Sequence, residues 1–198
     1  MFGSQAEAST LTYNGLDVNP AARVDISAAD EGVSFNNLRA GGFRMSDGNE
    51  EFVAWCIDLF DTIMTAEYEA DRPGQVSDAE EADLNRLFTL HRVGSQLNAI
   101  TAAAFQVAIW EIVYETATSY SLSSGNFTAG DNAAVVGEAQ TLLDSLGTAE
   151  GSYALSFYES DTSQDLVTGQ ISVMPLPAGL VLLLSGLGCL GVARRRKG

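Results

Sequence analysis

Basic residues are scarce in this chain: ten Lys and Arg stand against 26 Asp and Glu over 198 positions. Four of the ten, Arg194, Arg195, Arg196 and Lys197, fall among the last five residues, which leaves six for the body. Nucleic-acid binding, which needs basic surface to displace counterions, is therefore excluded. The acidic excess suits a soluble domain working outside the cell, where net charge resists association. A solvated acidic surface with no specific partner is the simpler account of the same excess. Histidine and cysteine are nearly missing. One Cys and one His in the body cannot build a zinc site without carboxylates. Asp47, Asn49 and Glu51 alternate about Gly48, but the terminal Glu of an EF-hand loop is not at its place, and the segment reads as an acidic turn. No metal or cofactor is expected. There is also no Gly-rich phosphate loop, no Gly-x-Ser-x-Gly elbow, no dinucleotide fingerprint and no internal repeat. Only scattered carboxylates recommend a hydrolase, and the chain is expected not to be an enzyme.

Cys189 sits inside an apolar tail, so a disulfide to Cys56 would tie the body to a membrane segment. Cys56 is thus the lone cysteine of the body, and an unpaired cysteine in an exported domain is a candidate reactive thiol. The tail itself has three parts: Pro175-Leu176-Pro177-Ala178, an uncharged Gly- and Leu-rich run to Ala193, and the Arg194 to Lys197 cluster. The run from Leu176 to Ala193 is about the minimum for a spanning helix. The basic cluster should stay cytoplasmic and leave the body on the far side of the membrane. This tripartite order resembles the PEP-CTERM family of sorting signals, in the VPLPA variant, with Val173-Met174 where that pattern has its Val. The resemblance covers about the last 25 residues. It implies an exosortase-type membrane protease as partner. It also implies a single-pass stage in the inner membrane, then release or transfer to the surface. The sorting segment is taken as 171–198.

An outward-facing body needs an export signal, yet no apolar h-region precedes the domain. Ala6-Glu7-Ala8 before Ser9 fits a small-x-small cleavage site, and residues 1–8 are read as the remnant of a signal peptide whose start lies upstream.

The body, 9–170, opens with short alternating segments over Thr10 to Leu16, Arg23 to Ser27 and Gly32 to Met45, punctuated by Gly41-Gly42. Glu51 to Phe60 reads as a buried strand. Ser152 to Tyr158 and Asp165 to Val173 repeat the strand character. Between them lies a helical part, about 77–147. Ser77 or Asp78 caps a helix to about Val93, with Leu84, Leu87, Phe88 and His91 on one stripe. Gln96 to Glu115 is a longer helix, apolar almost all round and so buried on most sides. A third runs from Asp131 as N-cap to Leu146, with Gly147 as its stop. Strands, helices, then strands predict an α+β domain: a β-sandwich or barrel with a helical insertion, plus one C-terminal transmembrane helix.

Two segments carry candidate chemistry: Trp55-Cys56-Ile57-Asp58 and Phe105-Gln106-Val107-Ala108-Ile109-Trp110-Glu111. On a helix Gln106 shares a face with Ile109, Trp110 and Val113, which buries an amide among aromatic and branched residues. An unpartnered amide there costs about 1–3 kcal/mol, so Gln106 either finds hydrogen bonds or does chemistry. A buried free Cys acting as a small hydrophobe beside a hydrogen-bonded Gln is the plain alternative.

The two segments resemble the thioester domains of bacterial surface adhesins. In that family a Cys in an aromatic-Cys-apolar motif bonds to a Gln in a Gln-x-Ala-Ile-Trp motif. The family usually has Thr before the Gln, where this chain has Phe105. The resemblance covers roughly residues 50 to 170. It implies an internal Cys56–Gln106 thioester, open to attack by an amine on a partner surface. Trp55, Phe105, Ile109 and Trp110 are candidates to wall out water, and Asp58 and Glu111 to carry protons. His91 is expected to be a helix-surface residue. The implied function is covalent attachment to an unknown amine-bearing surface or matrix partner. A non-covalent structural protein of the extracellular matrix, exported by the same route, is the alternative.

Overall fold

The computed structural model describes residues 8–91, 97–116, 119–148 and 151–171. Nine strands and three helices lie within them. The strands are β1 (Ser9–Leu16), β2 (Arg23–Ala28), β3 (Val33–Arg39), β4 (Phe43–Ser46), β5 (Glu51–Cys56), β6 (Ala66–Tyr68), β7 (Phe127–Gly130), β8 (Tyr153–Tyr158) and β9 (Leu166–Ile171). The helices are α1 (Asp78–Leu90), α2 (Ala99–Tyr114) and α3 (Ala133–Asp144).

All strand pairs are antiparallel. One sheet has six strands in the order β6-β1-β4-β5-β9-β8 and curls as a half-barrel; the other has three, β3-β2-β7. The predicted early strands are present, and the Gly41-Gly42 break separates β3 from β4. The Glu51–Phe60 stretch is a strand only as far as Cys56, because Asp58 then turns the chain. Its carboxylate accepts from the Phe60 N–H at 2.7 Å and the Asp61 N–H at 3.3 Å, an Asx-type turn that ends pairing.

The helices form for local reasons that the sequence carries. Ser77 and Glu80 close a capping box at α1, and Asn98 and Thr101 close an analogous one at α2. At α3 the N-cap is Asn132, whose side chain accepts from the Val135 N–H. The expected cap, Asp131, instead stands just outside at φ 60°. Both residue types serve as caps, and one position decides between them. Ser145 is the C-cap of α3, with Gly147 following at φ 57°.

The half-barrel curl fits the barrel alternative of the expected α+β fold, but the helical part is not one uninterrupted insertion. Strand β7 interrupts the helices and pairs with β2. Helix α2 packs against β5 of the larger sheet, against β2 and β7 of the smaller one, and against α1 and α3. Every residue from Ala102 to Tyr114 is buried, which explains why its sequence shows no polar face. The core therefore gathers round a central helix, and any residue of α2 is held from all sides.

No helix among the described residues is long and apolar enough to cross a membrane. The expected cleavage site at its Ala6-Glu7 part, the sorting motif and the 176–193 run lie outside the described residues.

Candidate functional site

Cys56 is the last residue of β5, and Gln106 lies midway along α2. Both are buried, each 1% exposed. The Gln106 carboxamide meets the main chain of Cys56 with both ends: Oε1 accepts from the Cys56 N–H at 3.0 Å, and Nε2 donates to the Cys56 carbonyl at 2.7 Å. The register explains the vacancy that the amide fills. Phe43 faces Ala54 across β4 and β5, so continuation of the ladder would set Gly41 opposite Cys56. The chain leaves the ladder there instead, with Gly41 at φ 152°. A side chain from α2 takes the place of a strand neighbour. On the other side Cys56 faces Leu166 of β9, and the next amide, Ile57 N–H, bonds the Asp165 carbonyl at 3.0 Å.

The thiol donates to the Asp58 carbonyl at 2.6 Å. Burial pushes its pKa up to about 12, so at rest it is a neutral thiol. Two groups work against that rise, the Asp58 backbone first and the Trp110 side chain after it. The indole N–H of Trp110, one helical turn past Gln106, has no hydrogen-bond partner. Its effect on the Cys56 thiol is to lower the pKa, against the larger effect of burial. One more turn along, the Tyr114 hydroxyl donates to the Ile57 carbonyl at 3.3 Å and accepts from the Leu59 N–H at 3.1 Å. Gln106 and Tyr114 thus hold residues 56–59, with Trp110 between them in a row at spacings of four. Tyr114 was missed in the sequence, although the spacing of eight from Gln106 puts it on the same face.

The other expected residues spread out. Trp55 and Phe105 pack ring to ring at 4.7 Å, and Phe105 meets Phe88 at 5.1 Å. They are a dry aromatic layer of the core. Phe105 belongs to that layer and is not among the residues lining the cavity at Gln106. Gly42 permits the layer: a Cβ there would stand 2.6 Å from Val53 Cγ1 and 3.2 Å from the Trp55 ring. Ile109 is fully buried in the same core.

Asp58 spends both carboxylate oxygens on its own turn, and the sulfur reaches its carbonyl rather than its carboxylate. Burial raises the Asp58 pKa, and burial raises Asp165 beside it to about 6. Glu111 sits five residues past Gln106 and so on another face. Its Oε1 accepts from the Ser121 N–H at 2.6 Å, and its Oε2 has no partner. Burial, then the nearby Glu115 charge, raise it to about 7. His91 is the C-cap of α1, with Nε2 2.8 Å from the Ser145 hydroxyl. Asp47 accepts from the Asn49 and Glu50 N–H groups, an acidic turn. Among the described residues no cluster of three or more His, Cys, Asp or Glu could hold a metal.

A cavity of about 320 Å³ opens over this site, with Gln106 and Trp110 among its lining residues. Its remaining walls come from β1, β3, β4, Gly41 between the last two, the loop after β5 and Gln164 before β9, and they mix apolar residues such as Leu38 and Phe60 with Arg39 and Asp61. Gln106 thus lines the cavity while only 1% exposed.

No family model matches the sequence, and no curated protein matches it. Two solved structures are similar to the chain. One is the N-terminal thioester domain of a surface protein from Clostridium perfringens, a cysteine-to-alanine mutant, at 13% identity and a TM-score of 0.47 over 83% of this chain and 99% of that one. The other is the N-terminal domain of the Streptococcus pyogenes pilus tip adhesin Cpa, at 15% identity and a TM-score of 0.40 over 79% of this chain and 98% of that one.

Proposed function

We propose that the protein is an exported surface protein whose body carries an internal thioester between Cys56 and Gln106, used to attach covalently to amine-bearing partners. The observation that carries this reading is the clamp of the Gln106 carboxamide on the Cys56 main chain in a dry site. Holding the two groups together replaces a bimolecular encounter with a positioned one. The sulfur attacks Gln106 Cδ, and the negative charge that gathers on Oε1 meets the Cys56 N–H already pointed at it. The C–N bond breaks, and the nitrogen leaves as ammonia with the thiol's proton. The bond to the Cys56 carbonyl goes with it, while the Oε1 contact stays. An incoming amine then forms an amide with Cδ and frees the Cys56 thiol. This is stoichiometric capture rather than turnover.

The rest of the account follows from the tail. Pro175-Leu176-Pro177-Ala178, the apolar run and the basic end support handling by an exosortase-type protease. They also support an inner-membrane stage with a cytoplasmic C-terminus, and a final place at the cell surface or outside it.

One observation favours a second reading. Both polar groups of Gln106 are satisfied by Cys56, as a purely structural ladder mimic requires. On that reading the protein is a non-covalent component of the extracellular matrix. Methylamine separates the two. The thioester reading predicts a stoichiometric methylamine adduct on Gln106 of the wild type and none on Cys56→Ala. A wild type that takes up no methylamine favours the structural reading.

A further inference from the structure

The six basic residues of the body, Arg23, Arg39, Arg44, Arg72, Arg86 and Arg92, are all arginines, and the one lysine of the sequence is Lys197, in the tail. Arg39 stands at the site. It is the last residue of β3, it is exposed, and it lines the same cavity as Gln106. No ion pair accounts for its guanidinium. Arg72 and Arg86 bond carboxylates of α1. Arg39 has no salt bridge among the described residues, not even to Asp61 of the same cavity. Its partner across the ladder is Arg23, which adds like charge rather than a counter-ion. The fold asks for a long cationic side chain at most, and lysine meets that need as well as arginine does.

We propose that Arg39 is a specificity-determining residue that spares the thioester from its own chain: it places positive charge in the cavity wall without a nucleophilic nitrogen. The inference rests on the thioester reading and adds how the reactive bond is kept for other molecules. A lysine amine has a pKa of about 10.4, so roughly one in a thousand is neutral and nucleophilic at pH 7.4. A guanidinium stays protonated, with its charge spread over a planar group. A lysine at position 39 would be tethered beside Gln106, at an effective concentration of about millimolar or above. A partner at micromolar levels would lose that competition by about a thousandfold. In the step that Arg39 prevents, the lysine nitrogen bonds to Gln106 Cδ and the C–S bond breaks. The electron pair goes to the Cys56 sulfur, and the proton shed by nitrogen ends there. The result is a loop closed from β3 to α2 and a spent site. The same composition protects neighbouring copies, since no described residue is a lysine that the next copy could take.

The test is Arg39→Lys in the full chain, treated with methylamine and read by intact mass and peptide mapping. Mapping should find an amide between the introduced lysine and Gln106, and methylamine should add to about a tenth of the chains or fewer. Two further variants separate the amine from the charge and from the position. Arg39→Gln removes the charge, adds no amine, and should give a methylamine adduct without a crosslink. Arg44→Lys is exposed on β4 and outside the cavity lining, and in dilute protein it should also give the adduct without a crosslink. Methylamine uptake by Arg39→Lys equal to that of the wild type, with no crosslinked peptide, overturns the inference and leaves the thioester standing. Loss of uptake with no crosslinked peptide overturns it as well. No methylamine adduct on the wild type overturns the thioester and the inference together.

Discussion

The carboxamide of Gln106 stands beside Cys56 as a strand's peptide group would, bonding its N–H at 3.0 Å and its carbonyl at 2.7 Å. This one relationship ties the central helix to the end of β5. It also makes the two residues unequal as targets for substitution. Gln106→Ala strands two buried main-chain groups, at about 1–3 kcal/mol each. Cys56→Ala keeps both bonds and removes a small apolar side chain. Both variants lack the proposed crosslink, so urea unfolding should show Gln106→Ala less stable than Cys56→Ala by about 2–5 kcal/mol. Equal losses would contradict the geometry.

Trp110 holds a buried N–H without a hydrogen-bond partner, and its side chain works to lower the Cys56 pKa. Trp110→Phe keeps a ring and removes that donor. Loss of one donor aimed at developing charge costs ~10²–10³ in rate at oxyanion sites. A thiolate spreads its charge more widely, so a slowing on the order of tenfold to a hundredfold in methylamine capture is expected. Replacing Trp110 with benzothienylalanine, the same shape with sulfur for N–H, should slow capture equally. An unchanged rate in both variants would remove Trp110 from the reaction.

Tyr114 secures the loop after β5 through Ile57 and Leu59. Tyr114→Phe leaves the Leu59 N–H without its acceptor, at about 1–3 kcal/mol, and loosens the turn whose Asp58 carbonyl holds the thiol. Thermal melts should show the loss. Intact mass of freshly made protein should show less dehydroamidated product than the wild type.

Glu111 makes stability depend on pH. Its folded pKa is about 7 against an ordinary value of 4.5, so between these values the folded state binds more protons than the unfolded one. Stability then falls as pH rises through that window and levels off above it. Asp165, raised from 3.8 to about 6, slopes the same way over its own window. Glu111→Gln keeps the acceptor for the Ser121 N–H and cannot ionise. Melting temperatures from pH 5 to pH 8 should fall less steeply for this variant than for the wild type. Parallel curves would contradict the assignment.

Much of this site can be read in the sequence, and the limit of that reading has a physical cause. Cys56 and Gln106 sit in short motifs with distinctive neighbours. The α2 helix shows itself by length and apolar character. Strands β6 and β7 escaped because three or four residues carry too little alternation, and β7 is held in place by pairing with a strand about a hundred residues earlier. Phe105 and Trp110 look alike as candidate water barriers. Only packing separates them, since one packs at a tilt against Trp55 and the other lines the cavity. The cavity had no sequence signal at all. Leu16, Phe35, Phe43 and Phe60 belong to four different segments, and only the folded chain brings them together.

The central claim is a covalent bond, and mass reads covalent bonds directly. Intact mass of the body, purified without amines or strong base, should fall short of the sequence mass by one ammonia in the wild type and match it in Cys56→Ala and Gln106→Ala. A wild type at full sequence mass, with Cys56 open to thiol reagents only after unfolding, would contradict the thioester.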